Sequence, residues 1–173
     1  GTIMRYVPDA NYFGPDEFFY TIDDGRGARG VGRVSLTVQP VNDRPIAVAA
    51  TVSTPELTEV LITFGGNDVD GDGLSAILRS LPTHGSLYQT TDGATRAAAI
   101  TAANTVVTDA LHRVIYVPGA GAGVGFDAFA FVLSDGQLES SPATITLDVT
   151  ATISPRVIAS SIINGGTVAA GPL

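Results

Sequence analysis

The stretch "NDVDGDG", residues 67–73, sets three aspartates at alternate positions and follows them with glycine. Three carboxylates held within five residues repel one another. A hard cation that prefers oxygen ligands offsets that repulsion well, and Ca²⁺ takes about six to eight such ligands. The same residues also suit a tight turn left in water, because aspartate and glycine both favour turn conformations. These seven positions leave both readings open.

Spacing narrows the choice. Asp68, Asp70 and Asp72 fall on positions 1, 3 and 5 of an EF-hand loop, and Gly73 falls on position 6. Position 12 of such a loop carries a bidentate carboxylate, but here it is Arg79. An arginine cannot complete the cage, so the EF-hand reading fails. Any Ca²⁺ bound here draws its remaining ligands from elsewhere in the chain.

Other chemistries find little support. The 173 residues contain no cysteine, which removes disulfides, thiolate metal sites and thiol nucleophiles together. His84 and His112 are the only histidines and lack paired ligand spacing, so zinc is not expected. There is no G-x-S-x-G elbow, and no enzymatic activity is expected. "GAGAGVG" (119–125) has alternating glycines that match neither G-x-G-x-x-G nor the Walker pattern, and the chain has no lysine. A net charge of −8 argues against a nucleic-acid partner. No apolar run approaches the roughly 20 residues needed to span a bilayer, so membrane insertion is not expected.

The elements that must position the aspartates emerge from an internal repeat. "YVPDANYFGPDEFFYTIDDG" (6–25) and "YVPGAGAGVGFDAFAFVLSDG" (116–136) align with one inserted residue. Tyr6-Val7-Pro8 answers Tyr116-Val117-Pro118, Asp16 answers Asp127, Phe18 answers Phe129 and Tyr20 answers Phe131. Downstream, Val34, Leu36 and Val38 answer Ile145, Leu147 and Val149. The period defines a module of about 110 residues. Period-two alternation in these segments predicts strands with one buried face. Further short runs near 47–53, 59–64, 74–80, 85–90 and 112–117 predict more strands, and "RAAAITAAN" (96–104) suggests at most a short helical turn. Many short strands separated by Gly/Pro/Asp/Asn predict an all-β, immunoglobulin-like sandwich. The recurring aromatics Tyr6, Phe18, Tyr20, Tyr116, Phe129 and Phe131 are expected mostly in the core. Tyr12, Phe13 and Phe126 are expected in loops, where they are candidate ligand contacts.

The predicted organisation is uneven: residues 1–42 hold the last strands of one repeat, residues 43–152 a complete repeat, and residues 153–173 the start of something further. A pair of strands is marginal alone in water, so residues 1–42 must lean on a partner.

"DDGRGARGVGRVSLTVQPVNDRPIA" (23–47) resembles the end of a cadherin-type repeat with its Asn-Asp-x-Pro linker. "NDVDGDGLSAILRSLPTHGSLY" (67–88) is similar to the Asp-x-Asp segment and following strand of the next repeat. The 6–25 stretch is similar to cadherin-like and dystroglycan-type repeats of large bacterial surface proteins. Pro-x-His-Gly-x-Leu (82–87) resembles a chondroitin-sulfate-proteoglycan repeat. The tail "SPRVIASSIINGGTVAAGPL" (154–173) resembles the opening of a bacterial immunoglobulin-like domain of surface-layer and adhesin proteins.

The cadherin-like resemblance implies Ca²⁺ at the junction of successive modules. Asn42 and Asp43 would be its linker ligands, Asp68 and Asp70 its Asp-x-Asp pair, and Asp135 its strand-end carboxylate. Asp72 is added by the local cluster. Glu56 would serve the far end of the module, where "TATISPR" (150–156) lacks an Asn-Asp pair and little or no Ca²⁺ is expected. No Asp-Arg-Glu segment accompanies these residues in the complete repeat.

The expected function is a non-enzymatic, calcium-stabilised structural or adhesive spacer of a large secreted or cell-surface bacterial protein, located extracellularly. Its expected partners are neighbouring repeats of the same chain, with a homotypic or glycan/matrix ligand as a further possibility. The alternatives are a carbohydrate- or matrix-binding module appended to a secreted protein and a self-assembling filament subunit that uses strand complementation.

Overall fold

The computed structural model describes residues 3–119 and 124–152. The expected further domain at 153–173 and the middle of the 119–125 loop lie outside the described residues. Among those described, every regular element is a strand, and no helix is long and apolar enough to cross a membrane.

An antiparallel hairpin comes first, β1 (Gly14–Asp23) with β2 (Arg29–Val38). Two four-stranded sheets follow. One has the order β4 (Ala50–Pro55), β12 (Ala143–Thr150), β11 (Gly125–Ser134), β7 (Ser75–Leu78). The other has the order β5 (Val60–Thr63), β10 (Arg113–Pro118), β8 (Gly85–Gln89), β9 (Ala99–Ile100). A short pair, β3 (Ile46–Val48) and β6 (Gly65–Asn67), closes one end. The chain leaves β3, breaks at Ala49, and runs as β4 parallel to β12. One short segment, residues 46–55, thereby serves two sheets.

Alternation places the core between the sheets. In β12, Ala143, Ile145, Leu147 and Val149 point inward, and Thr144, Thr146 and Asp148 alternate with them. Phe129, Phe131 and Leu133 of β11 meet Phe64, whose ring stacks on Phe131 with centroids 4.5 Å apart and stands edge-on to Phe129 at 6.0 Å. Val114 and Tyr116 of β10 and Leu87 of β8 fill the opposite wall. This is the immunoglobulin-like sandwich that the pattern predicted.

The internal repeat extends to the pairing register. Gly14 faces Val38 and Phe18 faces Val34 in the first hairpin. Gly125 faces Val149 and Phe129 faces Ile145 in the second, 111 residues later at each strand.

Three expectations need correction. Residues 96–104 form no helix: the two-residue β9 lies within them, and Asn104 turns the chain with φ of 62°. The first-copy aromatics are not core, since Tyr6 and Tyr20 are exposed and Phe18 is only half-buried. The sheet that covers their second-copy equivalents has no counterpart over β1–β2 among the described residues. Phe126 belongs to β11 rather than to a loop, with its ring outward.

Equivalent positions should therefore respond unequally to truncation. Phe131→Ala should cost about 3–5 kcal/mol in urea unfolding, as expected for emptying a core aromatic site. Tyr20→Ala should cost less than about 1 kcal/mol, because little packed volume is lost at an exposed site.

Candidate metal centre

The acidic loop joins β6 to β7, at the end of the sandwich where β3 enters. Asp68 Oδ1 accepts a hydrogen bond from the Asp70 amide at 2.8 Å, which bends the chain back on itself. Gly71 follows with φ of 80°, a left-handed conformation that a side chain would oppose. The fold gathers one carboxylate oxygen each from Asp68, Asp70 and Asp72 to within 4.8 Å of one another. Like charges at that spacing repel by about 1 kcal/mol per pair in water, and by more where water is excluded. Asp68 is half-buried, and its Oδ2 is fully buried without a hydrogen-bond partner. An oxygen buried in that state keeps its full desolvation cost unless something coordinates it.

The loop is held from below. His112, itself at φ of 55°, donates from Nε2 to the Leu74 carbonyl at 2.8 Å. The His112 carbonyl in turn accepts the Phe64 amide at 3.0 Å, which links the loop to the aromatic core. Arg79 reaches away from the loop, donating to Asn104 Oδ1 at 2.6 Å and pairing with Glu139.

The linker crosses the mouth of this loop. The Asp43 amide donates to Asp70 Oδ2 at 2.7 Å. Asn42 Nδ2 donates to Asp135 Oδ2 at 2.8 Å, and Gln137 Nε2 donates to Asn42 Oδ1 at 3.1 Å. Asp135 Oδ1 accepts the Gln137 and Leu138 amides, each at 2.6 Å, around Gly136 with its φ of 94°. The Leu138 amide first, and then the Asn42 side chain, holds the Asp135 carboxyl below the usual carboxylate range. A cleft of about 400 Å³ opens between Phe13, Asn42, Asp70, Asp72 and Gln137.

The structure thus brings Asn42 and Asp43 to Asp70 and Asp135, and groups Asp68, Asp70 and Asp72. Asp135 stands outside the carboxylate cluster, with both oxygens engaged in clamping the linker and its own turn. Glu56 lies at the opposite end, where Oε1 accepts the Thr152 amide at 3.2 Å. Phe13 lines the linker cleft and Phe126 begins β11 at the far end, so the two rings form no single platform. Sequence reasoning missed Gln137. Its signal was adjacency to the Asp135-Gly136 turn, a site read only for its carboxylate.

A family model described as "SibA-like, immunoglobulin-like domain" matches residues 31–149, and one described as "Bacterial Ig domain" matches residues 1–37. No curated protein matches. Among solved structures, the chain is similar to an endo-fucoidan hydrolase of glycoside hydrolase family 107 at 19% identity, with a TM-score of 0.39. That alignment covers 82% of this chain and 23% of the hydrolase. It is also similar to domains 4 and 5 of the S-layer protein SbsC at 12% identity, with a TM-score of 0.33, covering 78% of this chain and 77% of that one.

The linker clamp should be acid-sensitive. A carboxylate with a lowered folded pKa contributes stability that is present above its unfolded pKa of about 4 and lost as pH falls through the folded value. In NMR titration, the Asn42 side-chain amide should hold a constant shift above about pH 4 and move as Asp135 protonates below it. In Asp135→Asn the Asn42 transition should vanish, and an unchanged transition would assign it to another group.

Proposed function

We propose a structural role for this chain, which belongs to the SibA-like, immunoglobulin-like domain family. It acts as a non-catalytic spacer of a secreted or cell-surface bacterial protein, built from tandem sandwiches whose joint is stiffened by Ca²⁺. The cadherin-like resemblance of the Asn-Asp-x-Pro linker and Asp-x-Asp segment is close to this family.

The observation that carries the reading is the buried, unpartnered Oδ2 of Asp68 beside two further carboxylates. Asp68, Asp70 and Asp72 would hold a hard divalent cation, whose charge offsets their mutual repulsion. Asp70 accepts the Asp43 amide, so ordering the acidic loop also orders the linker. Asn42, fastened to Asp135 and Gln137, carries that order to the end of β11. Asn42 and Asp43 complete the oxygen set in this proposal, while Asp135 serves mainly to fix Asn42.

The magnitudes suit a brace better than a folding switch. Extracellular modules bind Ca²⁺ with dissociation constants of about 10⁻⁴–10⁻³ M. At tenfold excess over that constant the linkage contribution is roughly 1.4 kcal/mol per site. That is small against a whole domain and large against the freedom of one hinge.

Calorimetry in Ca²⁺ and in chelator tests the proposal. Ca²⁺ should raise the melting temperature by a few degrees, the shift expected from about 1.4 kcal/mol in a chain of this size. Small-angle scattering should show a narrower distribution of shapes. The pair Asp68→Asn and Asp70→Asn should remove both effects, and superimposable melting curves for the unaltered chain in the two buffers would refute the brace.

A further inference from the structure

The first hairpin presents a surface that its own repeat explains. Tyr6-Val7-Pro8 corresponds to the end of β10, a strand paired on one side with β5 and on the other with β8. Residues 3–8 belong to no strand, and Ile3, Met4 and Val7 are exposed at 95%, 59% and 66%. Within β1, Tyr20 and Ile22 are exposed at 37% and 60%, whereas their equivalents Phe131 and Leu133 are at 0% and 1%. The edges repeat the contrast. Phe131 to Ser134 pair with β7, and Ile145 to Thr150 pair with β4. Of the equivalent edges, Tyr20–Asp23 and Val34–Val38 pair only within the hairpin among the described residues, and Gln39 lies just past the end of β2.

One side chain supplies a register mark. In the complete repeat the Asp127 side chain is 7% exposed and receives the turn that joins β7 to β8. It accepts the Thr83 amide and hydroxyl at 3.1 Å each, the His84 amide at 2.7 Å, and its own neighbour Ala128 at 2.8 Å. Tyr116 seals the arrangement by donating to the His84 carbonyl at 3.1 Å. Asp16 keeps only the local part. It accepts the Glu17 amide at 2.7 Å, and Tyr6, the counterpart of Tyr116, donates to Asp16 itself at 2.6 Å. That hydrogen bond pushes the Tyr6 hydroxyl up to about 12. Asp16 is therefore a turn acceptor with its local partners in place and no incoming turn among the described residues.

We infer that the β1–β2 face docks the strand–turn–strand segment of a preceding immunoglobulin-like repeat, with Asp16 receiving the turn amides and setting the register. The inference rests on the tandem-repeat reading above and is independent of the cation. The chemistry of the occupant follows from residues 74–90: an apolar edge strand for Tyr20–Asp23, a Thr-His-Gly-type turn for Asp16, and a second strand beside residues 3–8. A second copy of this chain fits poorly. Two ten-residue hairpins meeting face to face would bury roughly 650 Å² in total from strand rise and spacing, well below the ~1,200 Å² of stable interfaces. Lending residues 74–90 to a neighbour would strip Leu78 and Leu87, at 0% and 1% exposure, from the donor's own core.

The repeat register prescribes the test. Residues 46–115 are grafted ahead of Tyr6 of the full chain, and hydrogen exchange is read in chelator so that cation effects do not enter. Amides of Tyr20–Asp23 and Val34–Gln39 should slow by about a hundredfold or more, the mark of passing from an open edge into a cooperative unit. Asp16→Asn in the graft should return at least about tenfold of that protection. A synthetic peptide of residues 74–90 added to the ungrafted chain should shift the Asp16 and Glu17 resonances, and this arm decides alone if the graft does not fold. Unchanged hairpin exchange in a folded graft overturns the inference, as does a peptide that shifts nothing when the graft fails. Protection that grows with concentration in the ungrafted chain, with doubled mass by sedimentation, overturns it in favour of a second copy.

Discussion

Phe64 stands between the two sheets, stacked on Phe131 and edge-on to Phe129, and much of the acidic end depends on that packing. Its amide is tied to His112, and His112 carries the Leu74 carbonyl at the end of the acidic loop. Aromatic packing of this kind adds about 0.5–1.5 kcal/mol beyond simple burial. Its larger effect here is positional. It fixes where β5 ends and where the 109–112 turn sits, and so where three mutually repelling carboxylates are anchored.

Aspartate does two different jobs at the ends of β11. At its start, burial pushes Asp127 up, but the His84, Thr83 and Ala128 amides outweigh that push and leave it below the ordinary carboxylate range. Just past its end, the half-buried Asp135 is lowered mainly by the Leu138 amide and the Asn42 side chain. Both are acceptors for backbone that would otherwise be loose. Asp68 differs from them in having an oxygen that is buried and unclaimed. That difference separates an aspartate that finishes a fold from one available to a cation.

The two hairpins share one pattern and one pairing register, yet among the described residues only the second is sealed on its apolar face and on both edges. Local sequence sets strand, alternation and turn, and these hold in both copies. Burial is set by what lies across the sheet, and for β1–β2 nothing among the described residues lies there. An apolar face left open on an antiparallel pair is a docking surface or a liability, because unpaired edges and exposed aromatics invite pairing with other strands. The tandem reading resolves that tension by treating the hairpin as one part of a larger sandwich.

By itself the sequence determined the fold class, most strand positions to within a residue or two, and the repeat, since alternation and turn residues are local signals. It also marked Asp68, Asp70, Asp72, Asn42, Asp43 and Asp135 as a set, through spacing and resemblance. Only the tertiary structure decided how that set divides. It grouped three carboxylates, brought Asp43 in through its backbone amide, and gave Asp135 to Asn42 and its own turn. It added Gln137, assigned His112 to the loop's support, and left Tyr20 exposed where Phe131 is buried. Those outcomes depend on which residues meet across sheets and loops, often dozens of positions apart. No local pattern of side chains encodes a meeting of that kind.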